Sequence, residues 1–402
     1  MSLITALRTI RIAERPNLIW VEIDTDEGLT GLGETFRGTS AVEAVVHDML
    51  AASLVGSDSR LIERHSRRML TPYVGYHASS AETRGAAAVD IALWDLAGKR
   101  HGIPVHEALG GAARDTIAAY NTCAGYAYNS GQNQVFNRKI GAADQAAGPY
   151  DDQIAFNRDA GALAESLVSE GYQAMKIWPF DIYAAASGGQ SITLADLKAG
   201  LEPFAQIRRA VGEKIEVMCE MHSLWSLPAA ARICRALEDY GVYWAEDPIC
   251  KMDDARALAD LRRQTATPLC GSETLGGAVP FRQMFEANAL DIAMVDLGWC
   301  GGLTEARKIA ALAEAYNKPL APHDCTGPVA LWAGLHLALH APTAIYQEMV
   351  RATISTWYRD LVTELPPLEQ GLFGLPAAPG LGTALMPGLR ERPDATVRET
   401  RA

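Results

Sequence analysis

Between Ile215 and His323, short apolar runs end one after another in a polar residue, with helix-like segments between them. Three runs end in glutamate: Val217-Met218-Cys219-Glu220, Val242-Tyr243-Trp244-Ala245-Glu246 and Pro268-Leu269-Cys270-Gly271-Ser272-Glu273. Ile292-Ala293-Met294-Val295-Asp296 ends in aspartate, and Pro319-Leu320-Ala321-Pro322-His323 ends in histidine. The segments Leu227 to Tyr240, Asp253 to Thr265 and Thr304 to Tyr316 carry the helical pattern. Strands alternating with helices in this way predict a parallel sheet closed into a barrel, with its chemistry at the C-terminal strand ends. Carboxylates spaced one strand–helix unit apart then stand on neighbouring strands around one rim.

The rest of the chain fits round that barrel. Thr116 to Thr122 reads as its first strand, Ala174-Met175-Lys176-Ile177-Trp178 as its second, and Thr343 to Glu348 as its eighth. The barrel is expected over 113–355. Residues 1–112 read as a small α+β domain. Its strands are Leu18 to Ile23 and Leu29 to Glu34, and an alanine-rich helix covers Ser80 to Arg100. Gly31 and Gly33 suggest a close backbone approach. The proline- and glycine-rich tail, 356–402, is expected to pack back on that first domain. The stretch 123–155 is too long for an ordinary connection and reads as a functional loop or an oligomer contact.

At 402 residues, 49% hydrophobic and 21% charged, the composition is that of a soluble globular protein. The net charge of −12 argues against nucleic acid or an anionic membrane as a partner. It leaves room for an anionic small molecule, because a bound metal reverses the local sign. Cys219, Cys250, Cys270 and Cys300 lie in or beside strands with no Cys-x-x-Cys pair, which reads as reduced core thiols in the cytoplasm. The start of the chain lacks the apolar run of a signal peptide, and no run is long enough to span a membrane. No phosphate-cradling glycine motif occurs, so a nucleotide is not expected.

Glu220, Glu246 and Glu273 carry the strongest signal. Three converging carboxylates repel one another, and a hard divalent ion, most naturally Mg²⁺, satisfies them while keeping positions open for substrate oxygens. Asp296 and His323 end adjacent strands. The carboxylate there can accept from one imidazole nitrogen and leave the other as a base. His222, two residues beyond Glu220, is a second acid–base candidate that extended backbone would point to the same side. Lys176 and Trp178 are likewise two apart and expected to point inward, Lys176 toward a carboxylate and Trp178 as a pocket wall. Glu348 is a candidate contact for the substrate carboxylate. Phe36-Arg37-Gly38 and Tyr73 to His77 are candidates for a lid over the barrel mouth, with Arg37 as a distal substrate contact.

These residues carry a resemblance. The run from Ala88 through Asp90, Trp94 and Lys99 to Leu109-Gly110-Gly111 resembles the enolase superfamily, in its mandelate racemase subgroup. So do Cys219-Glu220-Met221-His222, Ala245-Glu246-Asp247-Pro248, Gly271-Ser272-Glu273-Thr274, Asp296 with Gly301-Gly302-Leu303-Thr304, and Pro322-His323-Asp324. The resemblance implies a modified (β/α)7β TIM-like barrel under an N-terminal α+β capping domain completed by the C-terminal tail. It also implies Mg²⁺, and removal of the proton α to a carboxylate. Many relatives carry Lys-x-Lys on the second strand, and here Trp178 takes the second place. Glutamate followed by x-His at Glu220 and His222 is similar to acid-sugar dehydratases of the galactonate dehydratase kind. On that pattern His323, held by Asp296, is the base at C2, and His222 is the acid that protonates the departing C3 hydroxyl. The reverse assignment fits the sequence as well. The activity implied is dehydration of an acid sugar, an aldonate or aldarate, to a 2-keto-3-deoxy acid. A racemase, epimerase or lactone cycloisomerase using both histidines is the alternative, and a non-catalytic barrel is the alternative of another class. The resemblance further implies a homo-oligomer, a dimer or octamer.

Overall fold

The computed structural model describes residues 1–128 and 144–402. The N-terminal strands β1 (Ile4–Ile12), β2 (Leu18–Thr25) and β3 (Thr30–Phe36) form an antiparallel sheet. The helix Ala81–His101 packs on it, with its alanines fully buried at Ala86, Ala87, Ala88 and Ala92. Small side chains let strand and helix backbones meet. A side chain at Gly33 would collide with the carbonyl oxygen of Ala88, which is the close approach its glycine predicts.

The barrel strands are β4 (Thr116–Thr122), β5 (Ala174–Ile177), β6 (Glu216–Glu220), β7 (Ala245–Glu246) and β8 (Leu269–Gly271). They continue with β9 (Ile292–Val295), β10 (Leu320–Pro322) and β11 (Gln347–Met349). Neighbours pair in parallel from β4 to β10 in chain order. β11 pairs with β4, and a bridge from Leu320 to Ala344 closes the ring. Helices follow the first seven strands: Asp152–Ser169, Leu194–Val211, Leu227–Leu237, Ala255–Arg262, Ala278–Glu286, Leu303–Ala315 and Pro328–His340. This is the expected (β/α)7β order. Several strands are shorter than their apolar runs: Val242 to Trp244 lead into β7 without belonging to it. Below the rim the barrel is filled by Tyr120, Met218, Trp244, Cys270 and Met294, with the Tyr120 and Trp244 rings edge-on at 5.4 Å.

The tail supplies a short hairpin, β12 (Leu368–Glu369) with β13 (Leu372–Gly374), the latter antiparallel to the start of β4. It then returns as β14 (Ala395–Arg401), which pairs antiparallel with β1 and extends the N-terminal sheet. Buried carboxylates join the two domains. Asp90 accepts from the backbone N–H of Thr304 at 2.9 Å and from its hydroxyl at 2.6 Å, at the start of the helix Leu303–Ala315. A side chain at Gly302 would meet the Asp90 carboxylate, so the contact needs a glycine there. Glu34 on β3 accepts from Ala330 N–H at 2.9 Å in the first turn of Pro328–His340, and from Trp20 Nε1 at 2.6 Å. Carboxyl oxygens placed at helix N-termini accept from the unpaired N–H groups there.

Of the stretch 123–155, residues 129–143 lie outside the described residues, and 152–155 already belong to a helix. Among the described residues no helix is long and apolar enough to cross a membrane. Every cysteine is a free thiol. Cys219, Cys270 and Cys300 are buried as expected, but Cys250 is exposed, because it follows β7 in a surface turn rather than lying inside a strand.

Candidate active site and metal centre

Glu220 and Glu246 are the last residues of β6 and β7, and the parallel register sets them side by side. Glu273 stands just past the end of β8. One oxygen from each carboxylate lies within 4.8 Å of the other two. Glu220 and Glu246 are buried, and Glu273 is partly open. Burial, and then the neighbouring Glu220, push the Glu246 carboxyl well above its ordinary value. At Glu220 burial also works against charge, but His222 and Lys176 outweigh it. At Glu273 burial is outweighed by His323, which holds the carboxyl at about 2. The donors are all carboxylate oxygens, the hard ligands an alkaline-earth cation takes, so the residues fit a divalent ion. Glu220 is also fixed by its own turn: Oε1 accepts from the N–H groups of Met221 at 3.0 Å and His222 at 2.7 Å.

Lys176 on β5 lies beneath this cluster. Its ammonium bonds Glu246 and stands 2.9 Å from Glu348 Oε1 and 3.3 Å from Glu220 Oε2. It is 2% exposed and is absent from the cavity wall, so it neutralises the carboxylates rather than presenting a charge to solvent. Glu348 is equally buried. It accepts from Thr122 and Lys176, and from the Asp324 N–H at 3.2 Å, and it does not face the cavity as a substrate contact would.

His323 follows β10 directly. Its Nδ1 donates to Asp296 Oδ2 at 2.7 Å, and Nε2 lies 2.7 Å from Glu273 Oε2. Asp296 is oriented by the Gly298 N–H at 2.7 Å. Burial disfavours charge on His323, but Glu273 and Glu348 lead a ring of anionic neighbours that raises the imidazole well above its ordinary value.

His222 reaches the site differently from the extended run expected. β6 stops at Glu220, and His222 and Ser223 adopt left-handed backbone, φ 45° and 56°. The turn swings the ring onto Asp181, with Nδ1 at 2.6 Å from Oδ2. Burial opposes charge there too, yet Asp181 and Glu220 raise the imidazole to about 9. Asp181 opens a short helix in the insertion after β5. Nothing in the sequence singles it out, because it lies 41 residues before its partner. Asp247, next to Glu246, is a further residue that spacing did not reveal. It lines the cavity with one oxygen accepting from Ser272 Oγ at 2.8 Å.

The cavity above the glutamates measures about 260 Å³. His222 and His323 border it, together with Phe36 and Arg37 of the capping domain, Tyr128 and Trp299. β6 and β10 are four strands apart in the eight-strand ring, so the imidazoles rise from opposite sides. Phe36 and Arg37 thus bring the capping domain to the barrel mouth, with the Arg37 guanidinium 5.0 Å from the Phe36 ring centre. Tyr73 to His77 does not reach this cavity: its aromatic rings are exposed, and His77 borders a separate cavity between the domains. Trp178 is no pocket wall either. Beyond the end of β5 the chain turns, and the indole packs between Phe156 at 5.2 Å and the His222 ring at 5.8 Å.

The chain matches two family models: the mandelate racemase / muconate lactonizing enzyme N-terminal domain over residues 4–110, and the enolase C-terminal domain-like family over 159–388. It is 32% identical to a D-galactonate dehydratase of Ralstonia nicotianae, covering 94% of this chain and 91% of that protein. A D-galactonate dehydratase of Klebsiella pneumoniae is 32% identical over 86% of this chain and 81% of its own length. Among solved structures, an enolase protein from the Sargasso Sea environmental genome is 57% identical, with a TM-score of 0.89 over 100% of both chains. An Agrobacterium tumefaciens enolase of the mandelate racemase subgroup is 44% identical, with a TM-score of 0.88 over 100% of this chain and 99% of that one. Matched in both domains and along its whole length, the chain belongs to the enolase superfamily, in its mandelate racemase subgroup.

Proposed function

We propose that this hydro-lyase is a Mg²⁺-dependent acid-sugar dehydratase, acting on an aldonate or aldarate. The observation that carries the reading is the meeting of three glutamate oxygens within 4.8 Å, below a cavity with an imidazole on either side. The likeness to D-galactonate dehydratases supports the substrate class. Mg²⁺ held by Glu220, Glu246 and Glu273 supplies the positive charge that makes the proton beside a carboxylate removable. His323, kept in one tautomer by Asp296 and relieved of the Glu273 charge that raises it when that carboxylate holds a cation, takes that proton from C2 through Nε2. His222 gives a proton to the hydroxyl on C3, the C3–O bond breaks, and water leaves. The enol that remains becomes the ketone at C2, giving a 2-keto-3-deoxy acid. Arg37, which lines the cavity from the capping domain, takes the distal end of the sugar chain.

The two imidazoles on opposite sides also suit a second reading, racemisation or epimerisation at C2, in which one removes a proton and the other returns it. Incubating the purified protein and Mg²⁺ with aldonates and aldarates, and assaying semicarbazide-reactive keto acid, separates the two. Keto acid from at least one acid sugar is the expected result. Deuterium entering C2 from D₂O without keto acid would instead select the epimerase. No reaction of either kind across the set would defeat both.

A further inference from the structure

We infer that Asp181 is a positioning residue for the acid step: it makes His222 the second half of a pair of carboxylate–imidazole dyads. The inference rests on the dehydratase reading for its chemistry, but not for its geometry. On one side of the barrel Asp296 holds Nδ1 of His323 at 2.7 Å. On the other side, four strands away, Asp181 holds Nδ1 of His222 at 2.6 Å. A carboxylate at that distance accepts, so Nδ1 carries the hydrogen and Nε2 is the nitrogen that exchanges a proton with substrate.

The support under Asp181 is rigid. Phe180, fully buried, lies against Gly200 of the helix Leu194–Val211, where any side chain would strike its ring. The Phe180 ring also stacks on Phe204 of that helix at 6.3 Å. Asp181 is 1% exposed, and its Oδ1 has no hydrogen-bond partner among the described residues. A buried carboxylate with one oxygen unsatisfied among the described residues costs stability, so a packing role alone explains it poorly. The ring it holds has little other freedom: Trp178 packs edge-on against His222 from behind. His222 itself sits on left-handed backbone, a conformation that needs surrounding structure to hold it. Tautomer and direction of the ring are therefore set from the insertion 179–192, and not from the barrel strand that carries the histidine.

Two measurements test this. In the first, ¹⁵N–¹H correlation of histidine-labelled protein, with His222→Asn for assignment, reads the ring directly. The expected result is a protonated Nδ1 at His222 that becomes mixed in Asp181→Ala. An unprotonated Nδ1 at His222 in the unmodified chain would overturn the dyad. This arm needs no substrate, so it decides even if no acid sugar turns over and the dehydratase reading fails. In the second, Mg²⁺-loaded protein and a productive acid sugar are incubated in D₂O. Asp181→Asn is expected to lower keto-acid formation about 10²-fold or more, the scale of one acid–base group. Deuterium exchange at C2, which His323 carries, should continue, so the ratio of exchange to elimination rises at least about tenfold. Asp181→Glu, which keeps the carboxylate, should recover part of the elimination rate. A parallel fall of exchange and elimination would mean that Asp181 only holds the fold, and an unchanged rate would remove it from the reaction.

Discussion

At the scale of single residues, the site is a balance of buried charges. Lys176 is the ammonium among Glu220, Glu246 and Glu348, and each of these is almost without solvent. Removing one member of such a set leaves the others uncompensated, at about 3–5 kcal/mol. Lys176→Met is therefore expected to lower the Tm of the protein in chelator, and Mg²⁺ should restore more of it than it adds to the unsubstituted chain. Scanning calorimetry with and without Mg²⁺ measures both. His323→Asn removes the base while leaving the three glutamates. It is expected to cut keto-acid formation by about 10²–10⁴-fold and to stop deuterium exchange at C2, with Mg²⁺ still bound in a calorimetric titration. Retained C2 exchange in that variant would move the base elsewhere.

At the scale of elements, the helix Pro328–His340 ties three parts of the chain together through one neutral ring. His336 Nδ1 accepts from the His106 N–H at 3.1 Å, and Nε2 donates to the Leu381 carbonyl at 3.0 Å. Both nitrogens are used in the neutral form, so protonation would set N–H against N–H. Burial, the larger cause, drives the ring down to about 3 from an ordinary 6.5. The unfolded chain takes up a proton as pH falls below about 6.5, and the folded chain does not until about 3. The stability this ring contributes is thus complete above 6.5 and is lost as the pH falls through that window, on the order of a few kcal/mol. His336→Asn does not titrate. It is expected to be less stable at neutral pH, but to show a shallower fall in urea midpoint between pH 7 and 4.5.

At the scale of the molecule, first and last segments share one sheet. β14 pairs with β1, and Arg8 on β1 meets Glu22 at 3.0 Å, Asp24 at 2.9 Å and Glu399 on β14. The same sheet carries Phe36 and Arg37 to the cavity. Ending the chain at Asp394 is expected to bare the β1 edge, lower the Tm and promote association, which light scattering during a thermal ramp would register. Because Asp90 and Glu34 still clip the capping domain to two barrel helices, the loss should be partial, with Mg²⁺ affinity kept.

Much of this is legible in the sequence, for a local reason. Strand–helix periodicity and a polar residue at each strand's end are properties of adjacent residues. They put Glu220, Glu246, Asp296 and His323 on one rim, with the barrel order around them. What lies beyond a strand's end is not local. The left-handed turn at His222, the burial of Trp178 behind it, the inward retreat of Glu348 and Lys176 and the pairing with Asp181 each depend on which distant surfaces meet. Periodicity says which way a side chain leaves a strand. Only packing decides where the chain goes once the strand stops, and that is where a barrel keeps its chemistry.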